Sequence, residues 1–352
     1  MGYIDNIRRV VPYTPGEQPQ RAVVKLNTNE CPYPPAPGVA EAVRSIQAAR
    51  LRLYPDPDCR ELREALAEEY GLDPEQVFVG VGSDDVLSMC FLTFFAGQKP
   101  VLFADITYSF YDVWADVYRI PYERVPLGED YRLDGEGFMR ENGGIVLCNP
   151  NAPTGLAEPL EVIEKIAGGS PDSIVLVDEA YIDFGGQTAL PLLEKYPNLI
   201  IVRTMSKSRA LAGMRIGYAF GSRELIKYLQ DVKFSVNSYT MNMAALAAGL
   251  AAVQDRLYFE ETVDKIIVTR ENTKRELARL GFEYLDSETN FIFARPPKGL
   301  QAADLFERLK EHDIYVRYFP KPRLSEYLRI TIGTDEEMQK FVQVLEDILA
   351  GQ

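Results

Sequence analysis

Between residues 101 and 221 the chain repeats one pattern: a short unbroken apolar run, polar residues where the run stops, then a segment of helix or turn character. The runs are VLFAD (101–105), GIVLCNP (144–150), SIVLVDEAY (173–181), LIIVRTMSK (199–207) and RIGYAFG (215–221). Strands with one wet face alternate apolar and polar residues, whereas unbroken Val/Ile/Leu runs need cover on both faces. Helical segments between such runs predict an α/β fold: a large domain with a mostly parallel sheet covered by helices. Ahead of it, residues 58–70 predict a helix, with Asp58 as cap, Glu61 at the capping-box position and Gly71 as the stop. A strand, QVFVG, then leads through GSDD into an apolar helix in which Leu87, Phe91 and Phe94 recur at helical spacing. The opening NECPYPPAPG reads as extended.

After about residue 254 the texture changes. A charged helical stretch (254–280) precedes strands that alternate: in YLRITIGT (327–334), Leu328, Ile330 and Ile332 face one way, and Arg329 and Thr331 the other. That predicts a sheet with one covered face, in a smaller α+β domain. The expected division is a large domain over 31–261 and a small one built from 1–30 and 262–352.

Composition excludes several function classes. The net charge of −14 disfavours nucleic acid or an anionic membrane as partner, so anionic ligands need a local cluster of cations. His312 is the only histidine, which removes His-rich metal sites and Ser-His triads. Cys31, Cys59, Cys90 and Cys148 are scattered, with no C-x-x-C pair to suggest a disulfide framework or structural zinc. AALAAGLAAV (244–253) is too short to span a membrane and reads as a packed helix. The N-terminus lacks a secretory apolar region, so the expected location is cytoplasmic.

Ligands of open parallel sheets bind beyond the carboxyl ends of the strands. Here the runs end at Thr107 and Tyr108, at Asn149 and Asn151, at Asp178 with Tyr181 close behind, and at Ser206 and Lys207. Singly, each has an ordinary explanation as a cap, a turn or a solvated charge. Together they describe one ligand. The turn Gly80-Val81-Gly82-Ser83-Asp84 before a helix offers free N–H groups to an anion, and Ser206 and Arg215 can converge on it. The chain has neither G-x-x-x-x-G-K-[ST] nor a full G-x-G-x-x-G, so a nucleotide is not required. Asp178, at the end of a buried strand, calls for a cationic or hydrogen-bonding partner, such as a protonated ring nitrogen. Tyr108 can stack on a planar ring. A desolvated Lys207 near another cation becomes a nucleophile toward an aldehyde. A basic planar ring, a phosphate and an aldehyde describe pyridoxal 5′-phosphate.

The chain resembles the fold-type I pyridoxal-phosphate-dependent aminotransferases, class II subfamily, and among them the histidinol-phosphate aminotransferases. The resemblance runs nearly end to end, through LNTNECPYPP, RLYPDPDCRELREAL, GVGSDD, ITYSFY, NPNAPTG, VDEAYIDF, RTMSKSRALAGMRIGY, DSETNFIFAR and LRITIGT. It implies that Lys207 bonds the cofactor and moves the substrate proton, and that Asp178 keeps the pyridine nitrogen protonated. It also implies that Tyr181 meets the ring oxygen, either alone or with Asn151 or a water in place of the family asparagine, and that Tyr108 stacks on the ring. Ser83, Asp84, Thr204, Ser206 and Arg215 would complete the cofactor site. Tyr54 would reach the phosphate of a neighbouring subunit, making a homodimer with shared sites. Tyr13, Arg317 and Arg329 would hold the substrate, Arg gripping a phosphate in one half-reaction and the carboxylates of glutamate in the other. There are departures: Ala152 stands where the family has asparagine before proline, Cys31 where it has asparagine, and Ile106 where it has proline.

The implied activity transfers an amino group between glutamate/2-oxoglutarate and imidazole acetol phosphate/histidinol phosphate, a step of histidine biosynthesis. The alternatives are a threonine-phosphate decarboxylase-like or aromatic aminotransferase and, in other classes, a non-catalytic cofactor-binding module or a nucleotide-dependent oxidoreductase. The expected partners are small molecules and a second copy of the chain, with no metal, nucleic acid or membrane.

Overall fold

The structure is a computed structural model and describes residues 2–351. Its strands are β1 (Val24–Lys25), β2 (Val77–Gly80), β3 (Val101–Ala104), β4 (Tyr122–Val125), β5 (Gly144–Cys148), β6 (Val175–Asp178), β7 (Leu199–Thr204), β8 (Gly217–Gly221), β9 (Glu283–Tyr284), β10 (Phe291–Arg295), β11 (Ile314–Tyr315), β12 (Arg317–Tyr318) and β13 (Leu328–Thr331). Its α-helices are α1 (Pro37–Arg44), α2 (Arg60–Tyr70), α3 (Gly82–Phe94), α4 (Tyr111–Tyr118), α5 (Leu160–Gly169), α6 (Arg223–Val236), α7 (Met243–Gln254), α8 (Arg256–Arg279), α9 (Ala302–Glu311) and α10 (Asp335–Ala350).

A seven-stranded sheet runs in the order β2-β8-β7-β6-β5-β3-β4. Neighbours from β4 through β7 pair in parallel, and β8 runs against both β7 and β2. Every residue of β2, β3, β5, β6, β7 and β8 is buried, as the unbroken apolar runs require. One face packs Phe78, Val146, Leu176 and Ile200 against Val86, Leu87 and Phe91 of α3. The other packs Val79, Ile145, Val177 and Ile201 against Leu62 and Leu66 of α2, Ile163 of α5 and the small Ala245 and Ala248 of α7. Edge strand β4, with two exposed charged residues in its middle, carries no apolar run and gave no sequence signal.

A second, antiparallel sheet has the order β12-β13-β10-β9. Ile292 and Ile330 pack with Ile266 and Leu277 of α8 and Phe341 and Leu345 of α10. Helix α8 begins before residue 261 and continues past it, so the expected domain boundary falls inside a continuous helix. The N-terminal segment is stitched to this sheet: β1 pairs in parallel with β11, Thr331 N donates to Leu26 O at 3.0 Å, and Asn290 Nδ2 donates to Asn29 O at 3.0 Å. Leu328, Ile330 and Ile332 do face one core. The opposite face is not open to water as expected: Thr331 is buried, and its hydroxyl donates to Asn29 Oδ1 at 2.9 Å, because the N-terminal segment crosses there.

Two local expectations are corrected. Helix α2 starts at Arg60, with left-handed Cys59 before it. Its N-cap is Cys59, not Asp58, and makes no side-chain cap bond; Asp56, upstream, accepts from Arg60 N at 2.7 Å and from Asp58 N at 3.0 Å. Gly71 ends that helix with φ 66°, as read. The extended opening is two residues shorter than expected, since Pro37 and Gly38 already belong to α1, where proline suits the first turn. Among the described residues no helix is long and apolar enough to cross a membrane.

Candidate active site

Parallel pairing brings the ends of β3, β5, β6 and β7 to one rim, and four groups of residues gather there. The first is Asp178, the last residue of β6 and 2% exposed. Tyr111 Oη donates to its Oδ2 at 2.8 Å, and Ala180 N donates to its Oδ1 at 3.1 Å. Burial pushes its carboxyl up to about 6, partly offset by these two hydrogen bonds. Both bonds come from neutral donors, so a cation against this carboxylate is the missing partner.

Lys207 follows β7 by three residues. Its Nζ donates to Thr28 O at 3.3 Å and lies 5.7 Å from the centre of the Tyr181 ring. Burial first, then the Arg329 charge, lower its amine to about 8. The carboxylates of Asp84 and Glu30 work in the opposite direction. Tyr181 is buried, stands edge-on to Phe291 and accepts from Asn29 Nδ2 at 2.9 Å. Burial pushes its phenol up to about 12.

The third group is an anion cradle at the start of α3. Its first N–H groups have no helical acceptor, and the helix dipole adds partial positive charge. Arg215 stands beside it, Nη2 3.2 Å from Asp84 Oδ2 and Nη1 3.4 Å from Ser206 Oγ. Asp84 also accepts from Tyr108 Oη at 2.8 Å. The Asp84 carboxylate therefore orients Tyr108 and Arg215, leaving the helix amides for an anion. Glycine is required twice here. A Cβ on Gly82, which has φ +82°, would lie 2.4 Å from Arg215 Nη2, and one on Gly217 would lie 2.3 Å from Ser83 N.

The fourth group lies on the small sheet. Arg317 and Arg329 are direct cross-strand partners in β12 and β13. Like charges so placed repel. Phe319 lies under both guanidiniums, at 5.4 Å and 5.5 Å. Arg317 donates to Thr14 O and Pro15 O, and Arg329 Nη2 donates to Asn27 O at 3.1 Å. Arg329 Nε is buried without an acceptor. Tyr13 stacks on Phe110 with centroids 4.3 Å apart. Tyr13, Asn27, Arg317 and Phe319 line a cavity of about 700 Å³ between the N-terminal segment, α4 and the small sheet.

The donor set fits pyridoxal phosphate: a desolvated amine, a buried carboxylate short of a cation, a tyrosine hydroxyl, and a helix N-terminus with an arginine. Three expected residues stand apart from it. Asn151 spends its amide on its own loop, donating to Ile106 O and Thr154 Oγ1 at 3.0 Å and accepting from Thr107 Oγ1 at 2.9 Å. Thr204 Oγ1 donates to Ile216 O at 3.3 Å and accepts from Ser206 N at 3.1 Å, which shapes the turn before Lys207. Tyr54 is 78% exposed, stacks on Tyr239 and borders a separate cavity of about 300 Å³ with Arg50 and Met243. Sequence reasoning missed Tyr111 and Asn29. Both lie in segments singled out for other reasons, ITYSFY and LNTNECP, and nothing local distinguishes a tyrosine aimed at a buried carboxylate from its neighbours.

A model of the family described as aminotransferase class I and II matches residues 21–345. The histidinol-phosphate aminotransferase of Lactococcus lactis subsp. cremoris (strain SK11) is 52% identical over 350 residues, covering 99% of this chain and 98% of that one. That of Chromohalobacter salexigens is 48% identical over 342 residues, with 97% of each chain covered. Among solved structures, the histidinol-phosphate aminotransferase from Sinorhizobium meliloti in complex with pyridoxal-5′-phosphate superposes with a TM-score of 0.83 at 28% identity, over 92% of this chain and 91% of that one. Aspartate aminotransferase from Thermus thermophilus with maleate shares the fold, with a TM-score of 0.79 at 23% identity, over 92% and 90% of the two chains.

Proposed function

The chain belongs to the aminotransferase class I and II family, and we propose that it moves an amino group between glutamate/2-oxoglutarate and the pair imidazole acetol phosphate/histidinol phosphate. It is a transaminase, and pyridoxal 5′-phosphate is its cofactor. Bound there, the cofactor supplies an aldehyde that condenses with amines and a ring that draws electrons from the substrate carbon. Lys207, its amine lowered to about 8 by burial and the Arg329 charge, would take a proton from that carbon and deliver it to the cofactor's aldehyde carbon. Asp178 would keep the ring nitrogen protonated. Tyr181, steered by Asn29, would hydrogen-bond the ring oxygen, and Tyr108 would cover the ring. The amides of Ser83 and Asp84 would hold the phosphate with Ser206 and Arg215. Thr204 and Asn151 act at one remove, by shaping the loops.

The observation that carries the substrate reading is the Arg317–Arg329 pair. Two cations on directly paired strand positions, one with an unpartnered buried Nε, suit an anion placed beside them. A phosphate or a carboxylate supplies it, and Arg takes either in a fork. A homodimer with a cytoplasmic location belongs to the same proposal. Exposed Leu51, Leu53, Tyr54, Val236 and Tyr239 support the dimer, and four unpaired cysteines support a reducing compartment. The two sheets support the division into 31–261 and 1–30 plus 262–352, with α8 running through the boundary.

The test is a panel of donors and acceptors with the purified holoenzyme. Formation of 2-oxoglutarate from glutamate only when imidazole acetol phosphate is present is the expected result. Release of carbon dioxide from threonine phosphate, or equal turnover of unphosphorylated aromatic 2-oxo acids, would overturn it.

A further inference from the structure

We propose that Arg203, Glu179, Asp183 and Ser208 form one positioning network that holds Lys207 in register with Asp178 from the rear face of the central sheet. The inference rests on the reading of Lys207 and Asp178 given above. Successive residues of a strand point to opposite faces. Asp178 faces the site, so Glu179 turns to the other side, where Arg203 of β7 meets it. Arg203 Nε donates to Glu179 Oε2 at 2.9 Å, and Nη2 lies 2.8 Å from the same oxygen. Arg203 Nη1 lies 3.8 Å from Asp183 Oδ1, and the other oxygen of Asp183 accepts from Ser208 Oγ. One guanidinium thus connects the residue after Asp178 to the residue after Lys207. Thr188 Oγ1 accepts from Arg203 Nη2 at 2.7 Å and donates to Glu179, whose Oε1 also accepts from Ala189 N at 2.6 Å. The Tyr70 ring caps the guanidinium at 4.9 Å.

Stability alone does not account for this arrangement. Arg203 and Glu179 are 4% and 1% exposed, and a buried ion pair is often no more stabilising than an apolar pair of the same volume. An apolar pair, however, fixes no direction. The β6–β7 ladder ends at Asp178↔Val202, with one further bond from Glu179 N to Val202 O at 2.8 Å. Beyond it the Lys207 turn is anchored at its two ends, by Met205 N to Ile216 O and Leu211 N to Met205 O, both at 2.9 Å, and closed by Ala210 N to Lys207 O at 3.3 Å, with Ala210 in the left-handed region. Between those anchors the Ser208 side chain adds the tie that joins Lys207 to the network. The network also touches Asp178 electrostatically: burial and the Asp84 charge raise its carboxyl, and the Glu179 charge adds to them.

The test compares three holoenzyme variants with the parent: Ser208→Ala, Ser208→Thr and the double change Arg203→Met with Glu179→Leu. The readouts are Tm, kcat, KM and the pH midpoint of the bound cofactor's visible absorption. In Ser208→Ala and the double variant, kcat should fall roughly ten- to a hundredfold with KM held within about twofold, the cost of a small misplacement. The absorption midpoint should move by about half a unit or more. Ser208→Thr should restore most of both; the double variant, which also leaves Ala189 N and Thr188 without the Glu179 acceptor, is read from kcat and the midpoint and not from Tm. Parental kcat and midpoint in Ser208→Ala would overturn the network, whatever happens to Tm and whether or not the double variant folds. A parent protein whose cofactor is fixed by borohydride elsewhere than on Lys207 would instead overturn the underlying reading.

Discussion

A lysine amine at about 8 is a different reagent from one at its ordinary value. At pH 7 about a tenth of it is neutral, where an ordinary lysine is neutral to roughly one part in several thousand. Burial is the larger cause and the Arg329 charge the next. Both disfavour the ammonium, so uptake of pyridoxal phosphate by the apoprotein should accelerate with rising pH through a midpoint near 8 and level off above it. Arg329→Ala removes one repelling cation. The midpoint should therefore move toward the ordinary lysine value, and uptake at pH 7 should slow, measured as absorbance growth after mixing. A midpoint left in place, or moved down, would show that Arg329 does not act on Lys207. At this scale the sequence marked positions but not their partners. Lys207, Asp178 and Arg215 stand at strand ends, where position speaks. Asn29 reaches Tyr181 across 152 residues, and no local pattern encodes such a contact.

Among the elements, those with an unbroken apolar run were legible, because burial on both faces leaves no other composition. Strand β4 was not, since as an edge strand it carries Glu123 and Arg124 exposed. Asn149 and Asn151 looked like ligands because they end a strand, yet a loop bearing Pro150 and Pro153 has few backbone N–H groups and uses side-chain amides instead. The junction of β8 with α3 gives a further prediction. A methyl on Gly217 meets Gly82 C and Ser83 N, both backbone atoms at 2.3 Å, so it cannot be absorbed by a side-chain swing. Overpacking of this kind costs about 1–3 kcal/mol. It falls on the start of α3, so Gly217→Ala should weaken pyridoxal phosphate binding about ten- to a hundredfold in a fluorescence titration. Gly38→Ala, whose nearest neighbour would be 3.9 Å away, should bind like the parent. Equal affinities in the two variants would detach the α3 amides from the phosphate.

For the whole molecule, the texture changes near residue 254, where the second, antiparallel sheet follows α8. The N-terminal segment groups with the small domain by sequence, but the way it is joined there is not legible, because β1 is two residues long and pairs with a strand far along the chain. The same scale decides what Tyr54 does. It sits with exposed Leu51 and Leu53, stacked on Tyr239, and borders a cavity lined by neither Lys207 nor Asp178. In the proposed homodimer it would serve the partner's cofactor. Two inactive variants then test the assembly. Tyr54→Ala spoils the site across the interface, while Lys207→Ala spoils its own. A mixed dimer holds one site lacking both groups and one site lacking neither. Equal amounts, dissociated and reassembled at random, form mixed dimers in about half the population, so about a quarter of parental turnover should return. Mixing without dissociation should return none. If Tyr54 acted within its own chain, or not at all, reassembly would leave activity at the sum of the two variants.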